Sequence, residues 1–369
     1  MRPNRMLSCG IIVCIVGMFA SQPSYAADYA AAADLAQLES AVADALLERR
    51  EAVRIEYTGD GRELAGRIRD VIMRALRRDD YTYYIMDSYF YSIRPLDGRS
   101  HVRLTLNWRE TPEQTAEVDR QVRDVLERLI TPGMNDHQRV KAIHDWIVLR
   151  LAYDAGLSRY TAYEALRTGK GVCQAYALLA YKMLTAAGIP ARIVEGTVSE
   201  GDHAWNLVRV DGRWYHLDVT WDDPVPDRAG VVSYEYYLKT DDEMRRDHAW
   251  TRDYPRADTP YRAAVAAAEK SDPERAGFYE SLKASLGWKW LQPEHTAATA
   301  DDPRRRIGEA LASGADGFKV RYLRGDAVRG DLRRAMEEAE AAGVREFEAS
   351  IAPFGDDGSV LPEVTWIRR

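Results

Sequence analysis

Three side chains that can carry out nucleophilic chemistry follow one another within about fifty residues. Cys173 follows Gly169-Lys170-Gly171-Val172, His203 opens His203-Ala204-Trp205-Asn206, and Asp218 closes Trp214-Tyr215-His216-Leu217-Asp218. A thiol, an imidazole and a carboxylate are the parts of a thiol nucleophile, its base and the group that orients the base. Whether they can act together depends on the elements that carry them.

The cysteine is expected at the start of a helix. Gly169 and Gly171 suit a tight loop, and Ala175 to Ala187 combines strong helix formers with apolar residues at helical spacing. Gly188 and Pro190 then stop the helix. At a helix N-terminus, unpaired N–H groups and the macrodipole favour an anion, so a thiol there is readily converted to the nucleophilic thiolate. The same N–H groups can receive an oxyanion.

The histidine and aspartate are expected on a hairpin. His203 to Val210 and Arg213 to Val219 both alternate, and Asp211-Gly212 between them is a turn signal. Pairing Val210 with Arg213 sets Leu207 opposite His216 and Trp205 opposite Asp218. His203 and Asp218 then become diagonal neighbours on one face, roughly 7–8 Å apart at the backbone. His216 falls on the same inferred face and is the rival base. His144, between core-facing residues, reads as structural. Trp205 and Trp221 read as sheet core or as walls of a cleft. Asp222 and Asp223 read as turn caps or as contacts to a substrate amine.

These segments resemble the transglutaminase-like superfamily, in its bacterial, secreted branch related to papain-like cysteine peptidases. The likeness rests on Gly171-Val172-Cys173-Gln174, His203-Ala204-Trp205-Asn206 and Trp214 to Pro224. Ile143-His144-Asp145-Trp146-Ile147, Tyr153-Asp154 and Tyr236 to Thr240 add to it, so that residues 112 to 260 are covered. The resemblance implies an α+β fold with a papain-like core, the cysteine on a helix and histidine and aspartate on an antiparallel sheet. It implies Cys173, His203 and Asp218 as the catalytic triad of a thiol enzyme acting on peptide or carboxamide bonds. Water as acceptor makes such an enzyme a peptidase or amidase, and an amine makes it a transglutaminase. The alternative is a non-catalytic envelope protein that uses the same fold to bind peptides or as a scaffold. No cofactor and no metal are implied, since no cluster of carboxylates resembles the calcium sites of the animal transglutaminases. The implied substrates are peptides, proteins or cell-wall peptides.

The beginning of the chain reads as a signal peptide over residues 1–26. Arg2 and Arg5 precede the apolar run Ile11 to Ala20, and Ser24-Tyr25-Ala26 fits a cleavage site. Ser21 to Ser24 interrupts the run well short of the ~20 residues that a membrane span needs, so stable insertion after cleavage is not expected. Cleavage would remove Cys9 and Cys14, leaving Cys173 as the single cysteine of an exported protein in the cell envelope or outside it. One cysteine forms no internal disulfide, and a leftover thiol in such a protein is a candidate reactive group.

Of the 369 residues, 46% are hydrophobic and 30% charged, with a net charge of −7. Loss of the leader, with two arginines and no acids, takes this to −9. A mildly acidic protein has no electrostatic case for nucleic acid or anionic membrane.

Around the core, residues 27–110 read as an alanine-rich helix from Asp28 to Glu51 and a β-α-β-β module. In that module Tyr81, Tyr83, Tyr84, Tyr89 and Tyr91 read as half-buried strand residues or as a carbohydrate-stacking surface. Residues 111–260 read as the catalytic core, opened by the capping box Thr111-Pro112-Glu113-Gln114. Residues 261–315 read as helices and a polar linker at His295 to Arg306. Residues 316–369 read as a second β-α-β-β module, in which Val320 to Asp326 echoes Arg54 to Asp60.

Overall fold

The structure is a computed structural model that describes residues 29–228, 230–341, 344–354 and 357–368. The signal peptide read at residues 1–26 lies outside the described residues, as do Cys9 and Cys14. The chain forms two compact units, Met1–Ala264 and Val265–Arg369. Among the described residues, no helix is long and apolar enough to cross a membrane.

The first unit begins with β1 (Ala30–Ala32), α1 (Leu35–Leu47) and β2 (Ala52–Tyr57), followed by α2 (Gly61–Leu76), α3 (Asp80–Ile85), β3 (Met86–Leu96) and β4 (Arg99–Trp108). The sheet order is β1-β2-β4-β3. The single alanine-rich helix expected from Asp28 is divided. Asp34 is extended and its carboxylate accepts from the Gln37 N–H, so the helix can begin only after it. The alanines before it run parallel to β2 instead. Leu38, Val42, Leu64, Ile68 and Ile72 from the two helices join Ile55, Tyr89 and Leu104 of the sheet in one buried cluster. Tyr89 belongs to this cluster, Tyr83 and Tyr91 are half-buried against it, and Tyr81 and Tyr84 are buried elsewhere in the first unit.

The core follows, with α4 (Pro112–Leu129), α5 (Asp136–Arg150), β5 (Ala152–Tyr153), α6 (Ala162–Thr168), β6 (Lys170–Gly171) and α7 (Cys173–Ala186). An antiparallel sheet, β7 (Ala191–Val198), β8 (Gly201–Val210) and β9 (Arg213–Leu217), packs on α7. α4, α5 and α6 begin with reciprocal capping boxes, at Thr111, Asn135 and Thr161. Between α4–α6 and the sheet, α7 buries Ala175 to Ala180, Met183 and Leu184. A helix apolar nearly all round is stable only when covered on every side. Truncating Leu178 or Leu179 to alanine is expected to cost about 2–5 kcal/mol. Asp80, buried at the start of α3, accepts from the Arg192 guanidinium and from the Ile193 N–H, which ties the first module to β7. The short α8 (Asp241–Met244) then leads into the segment through Tyr254 that covers the sheet.

The second unit begins inside α9 (Tyr261–Ser271). It continues with α10 (Ala276–Ser285), β10 (Thr296–Ala297), α11 (Asp302–Ser313), β11 (Gly317–Lys319), β12 (Arg321–Tyr322), α12 (Val328–Ala341), β13 (Val344–Pro353) and β14 (Val360–Arg368). The polar stretch read as a linker is ordered structure. Asp302 accepts from the N–H groups of Ala298 and Thr299, and Pro303 sits in the first turn of α11, where its missing N–H costs nothing. β11 and β12 pair with successive parts of β14, whose other edge pairs with β13, while β10 runs parallel to β12. This unit thus repeats the pairing of the first sheet, with Ala297 opposite Tyr322 as Ala32 is opposite Tyr57.

Candidate active site

Cys173 occupies the first position of α7, with Val172 as N-cap. Gly169, at φ +70°, is the left-handed residue that ends α6 and turns the chain toward it. Valine supplies no side-chain cap, so the donors of the first turn are left without that competitor. Cys173 itself is partly accessible.

His203 and Asp218 come together as the hairpin register requires. Asp211 and Gly212 both take positive φ, as a tight two-residue turn demands. Val210 pairs with Arg213 and Leu207 with His216. His203 Nε2 lies 2.5 Å from Asp218 Oδ2, and both residues are buried. Cys173 and His203 line the same cavity, and the sulfur acts on the charge of the imidazole. Asp218 Oδ1 accepts the N–H groups of Thr220 at 3.0 Å and Trp221 at 3.1 Å, which fixes the carboxylate just past the end of β9.

Electrostatics follows from this packing. Burial opposes a charge on His203, but the Asp218 carboxylate and the hydrogen bonds to Asp218 and Cys173 outweigh it and push the imidazole up to about 10. Burial likewise opposes ionisation of Asp218, yet the charge and hydrogen bond of His203, with the hydrogen bond of His248, hold it well below the usual carboxylate range. The pairing therefore favours a protonated imidazole beside an anionic carboxylate.

The rival histidines are committed elsewhere. His216 Nδ1 accepts the Trp205 indole N–H at 2.8 Å, while Nε2 faces Asp241 at 2.9 Å. Burial pushes His216 down, against the pull of Asp241. His144 lies between Asp145 and Asp222 at 2.9 and 3.0 Å. Asp222 also accepts the Tyr236 N–H, so it holds the turn after Asp218 in place.

His248 escapes sequence reasoning. The polar, aromatic run from Asp241 reads as a covering loop, yet His248 is buried and its Nε2 lies 3.1 Å from Asp218 Oδ2, the oxygen that also serves His203. Its signal is the backbone pairing of Thr197 with Ala249, with both N–H···O distances 2.8 Å. A Cβ on Gly196 would meet the Ala249 carbonyl at 2.2 Å, so this pairing requires glycine beside it.

His203, Asp218 and His248 have candidate ligand atoms within 4.8 Å of one another. A shared ion with bonds of about 2.0–2.2 Å would hold its ligand atoms farther apart than the 2.5 Å between His203 Nε2 and Asp218 Oδ2. This spacing is that of a hydrogen bond.

Cys173 and His203 open on a cavity of about 930 Å³ walled by Tyr84, Tyr153, Trp221 and Trp250. Trp205 lies behind the site instead, stacked on His203 at 5.7 Å. Asp223 also lines the cavity. Its Oδ2 accepts from the Tyr176 hydroxyl and its Oδ1 is buried without a partner, and burial, reinforced by Asp227, pushes it up to about 6.

A cysteine on a helix start, with a histidine on an antiparallel sheet and an aspartate just past the end of that sheet's last strand, is a papain-like arrangement within an α+β fold. The segment that holds it, residues 123–219, matches the family model of the Transglutaminase-like superfamily. The chain is 30% identical to human kyphoscoliosis peptidase in a 139-residue alignment that covers 32% of this chain and 21% of that protein. The mouse protein of the same name is 29% identical over the same coverage. The match thus spans about a fifth of the length of these relatives. Among solved structures, a crystal structure of a TGase covers 46% of this chain and 51% of its own, at 15% identity and a TM-score of 0.28.

Proposed function

We propose that this protein is a thiol enzyme that cleaves or transfers acyl groups at peptide or carboxamide bonds through a Cys173 acyl-enzyme. One observation carries the reading: His203, paired with Asp218 at 2.5 Å, shares with Cys173 the wall of a cavity large enough for a peptide segment. The Cys173 thiolate attacks the carbonyl carbon, and the electron pair of the C=O bond moves to oxygen, where N–H groups of the first turn of α7 receive it. His203 gives its proton to the leaving amine as the C–N bond breaks, and a thioester remains. An acceptor then loses a proton to His203 and attacks the thioester, and the thiolate is expelled. Water as acceptor yields a carboxylic acid, and a primary amine yields a new amide. Asp218 keeps the imidazole oriented through both steps.

The leader pattern at residues 1–26 supports action outside the cell or in its envelope, on surface proteins or cell-wall peptides. Incubation with a panel of peptides and wall fragments, with and without a primary amine, tests the reading by mass spectrometry. The expected result is products lighter or heavier by hydrolysis or amine exchange, absent with Cys173→Ala. No Cys173-dependent product and no acyl adduct on Cys173 would favour the scaffold alternative.

A further inference from the structure

We propose that His248 is a positioning residue for the Asp218–His203 pair, an inference that rests on the thiol-enzyme reading above. Asp218 Oδ1 is fixed by two backbone N–H groups, but Oδ2 accepts from two imidazoles, His203 at 2.5 Å and His248 at 3.1 Å. A carboxylate oxygen with a single imidazole partner can shift with it as the ring gains and loses its proton. A second donor from another direction holds that oxygen in place.

His248 is built for this task and for no contact with substrate. It is 2% exposed and does not line the cavity; it touches the His203 ring, 5.4 Å between centroids, and meets the pair chiefly through Asp218. Its Nδ1 lies 2.5 Å from Asp247 Oδ1, so both ends of the ring are held. The ring packs edge-on to Trp221 at 4.5 Å and to Trp205 at 5.0 Å. Its backbone is fixed by the N–H bond to the Met244 carbonyl and by the pairing of the next residue with Thr197. Trp205 and Trp221 also contact the His203 ring, so one aromatic shell sets both histidines against one carboxylate. Packing alone would be served by any residue of similar shape; positioning requires the N–H aimed at Asp218.

That difference defines the test. The second-order rate of Cys173 labelling by iodoacetamide at pH 7 is measured by intact mass in full chains carrying His248→Leu, His248→Gln or His203→Ala, with thermal midpoints on the same samples. His248→Leu keeps the bulk and loses the donor, and should label about tenfold or more slowly than wild type. His248→Gln keeps an N–H near the position of Nε2 and should label within about threefold of wild type although its midpoint falls too. A folded His248→Leu that labels at the wild-type rate overturns the proposal, as does a His248→Gln as slow as His248→Leu. If His248→Leu does not fold, Asp247→Asn, at a half-exposed position, decides: slower labelling supports positioning, and an unchanged rate overturns it. A slow His203→Ala beside a fast His248→Leu removes His248 alone, whereas a fast His203→Ala removes the thiol-enzyme reading itself.

Discussion

His203 Nε2 and Asp218 Oδ2 lie 2.5 Å apart in a buried site, which leaves the other nitrogen of the ring for Cys173. The pair is joined by a hairpin, so its geometry is inherited from strand register rather than from flexible loops. Its protonation state then links chemistry to stability.

Because folding raises His203 to about 10 from an unfolded value near ~6.5, the folded chain binds that proton more tightly. The stabilisation from this group is fully present below the unfolded value and is lost as pH rises through about 10. Denaturant titrations of wild type and His203→Gln at pH 6, 8 and 10 should show the wild-type advantage shrinking across that window. An advantage that grows with pH would mean the imidazole is held neutral.

Asp218→Asn should lower turnover by about two to four orders of magnitude, since an amide favours the wrong imidazole tautomer, as it does in a serine-protease triad. It should also lower stability by about 1–3 kcal/mol, because the amide N–H₂ must face either the two imidazoles or the Thr220 and Trp221 N–H groups. Turnover and unfolding measured on one preparation check both. A silent variant would leave a Cys-His dyad with Asp218 outside the chemistry.

Asp223 has the opposite linkage from an ordinary paired carboxylate. Its folded value is raised to about 6, so its contribution is present below the unfolded value near ~3.9 and is lost as pH rises through about 6. Asp223→Asn keeps the shape without the charge, and should raise the thermal midpoint relative to wild type at pH 8 but not at pH 4. An equal effect at both pH values would assign the change to packing.

Much of the site was legible because its parts are local. The turn at Asp211-Gly212 sets the register that brings His203 to Asp218, and the glycines before Cys173 announce the helix start. His248 was not legible: it lies thirty residues from Asp218, and only the Thr197–Ala249 pairing, a tertiary contact, brings it there. The errors in the fold share a cause. Asp34 and Asp302 read as part of a helix and of a linker, and each proves to be the carboxylate that organises a helix start, because their local N–H partners outweigh the average character of the segment.

The central claim is that His203 activates Cys173, and the labelling rate of Cys173 by iodoacetamide at pH 6 tests it most directly. An imidazolium beside the sulfur stabilises the thiolate, so wild type should label about tenfold or more faster than His203→Ala. His216→Ala, which loses a ring committed to Trp205 and Asp241, should be less stable yet label within about threefold of wild type. Equal rates for wild type and His203→Ala, or equal losses for the two histidine variants, would contradict the account.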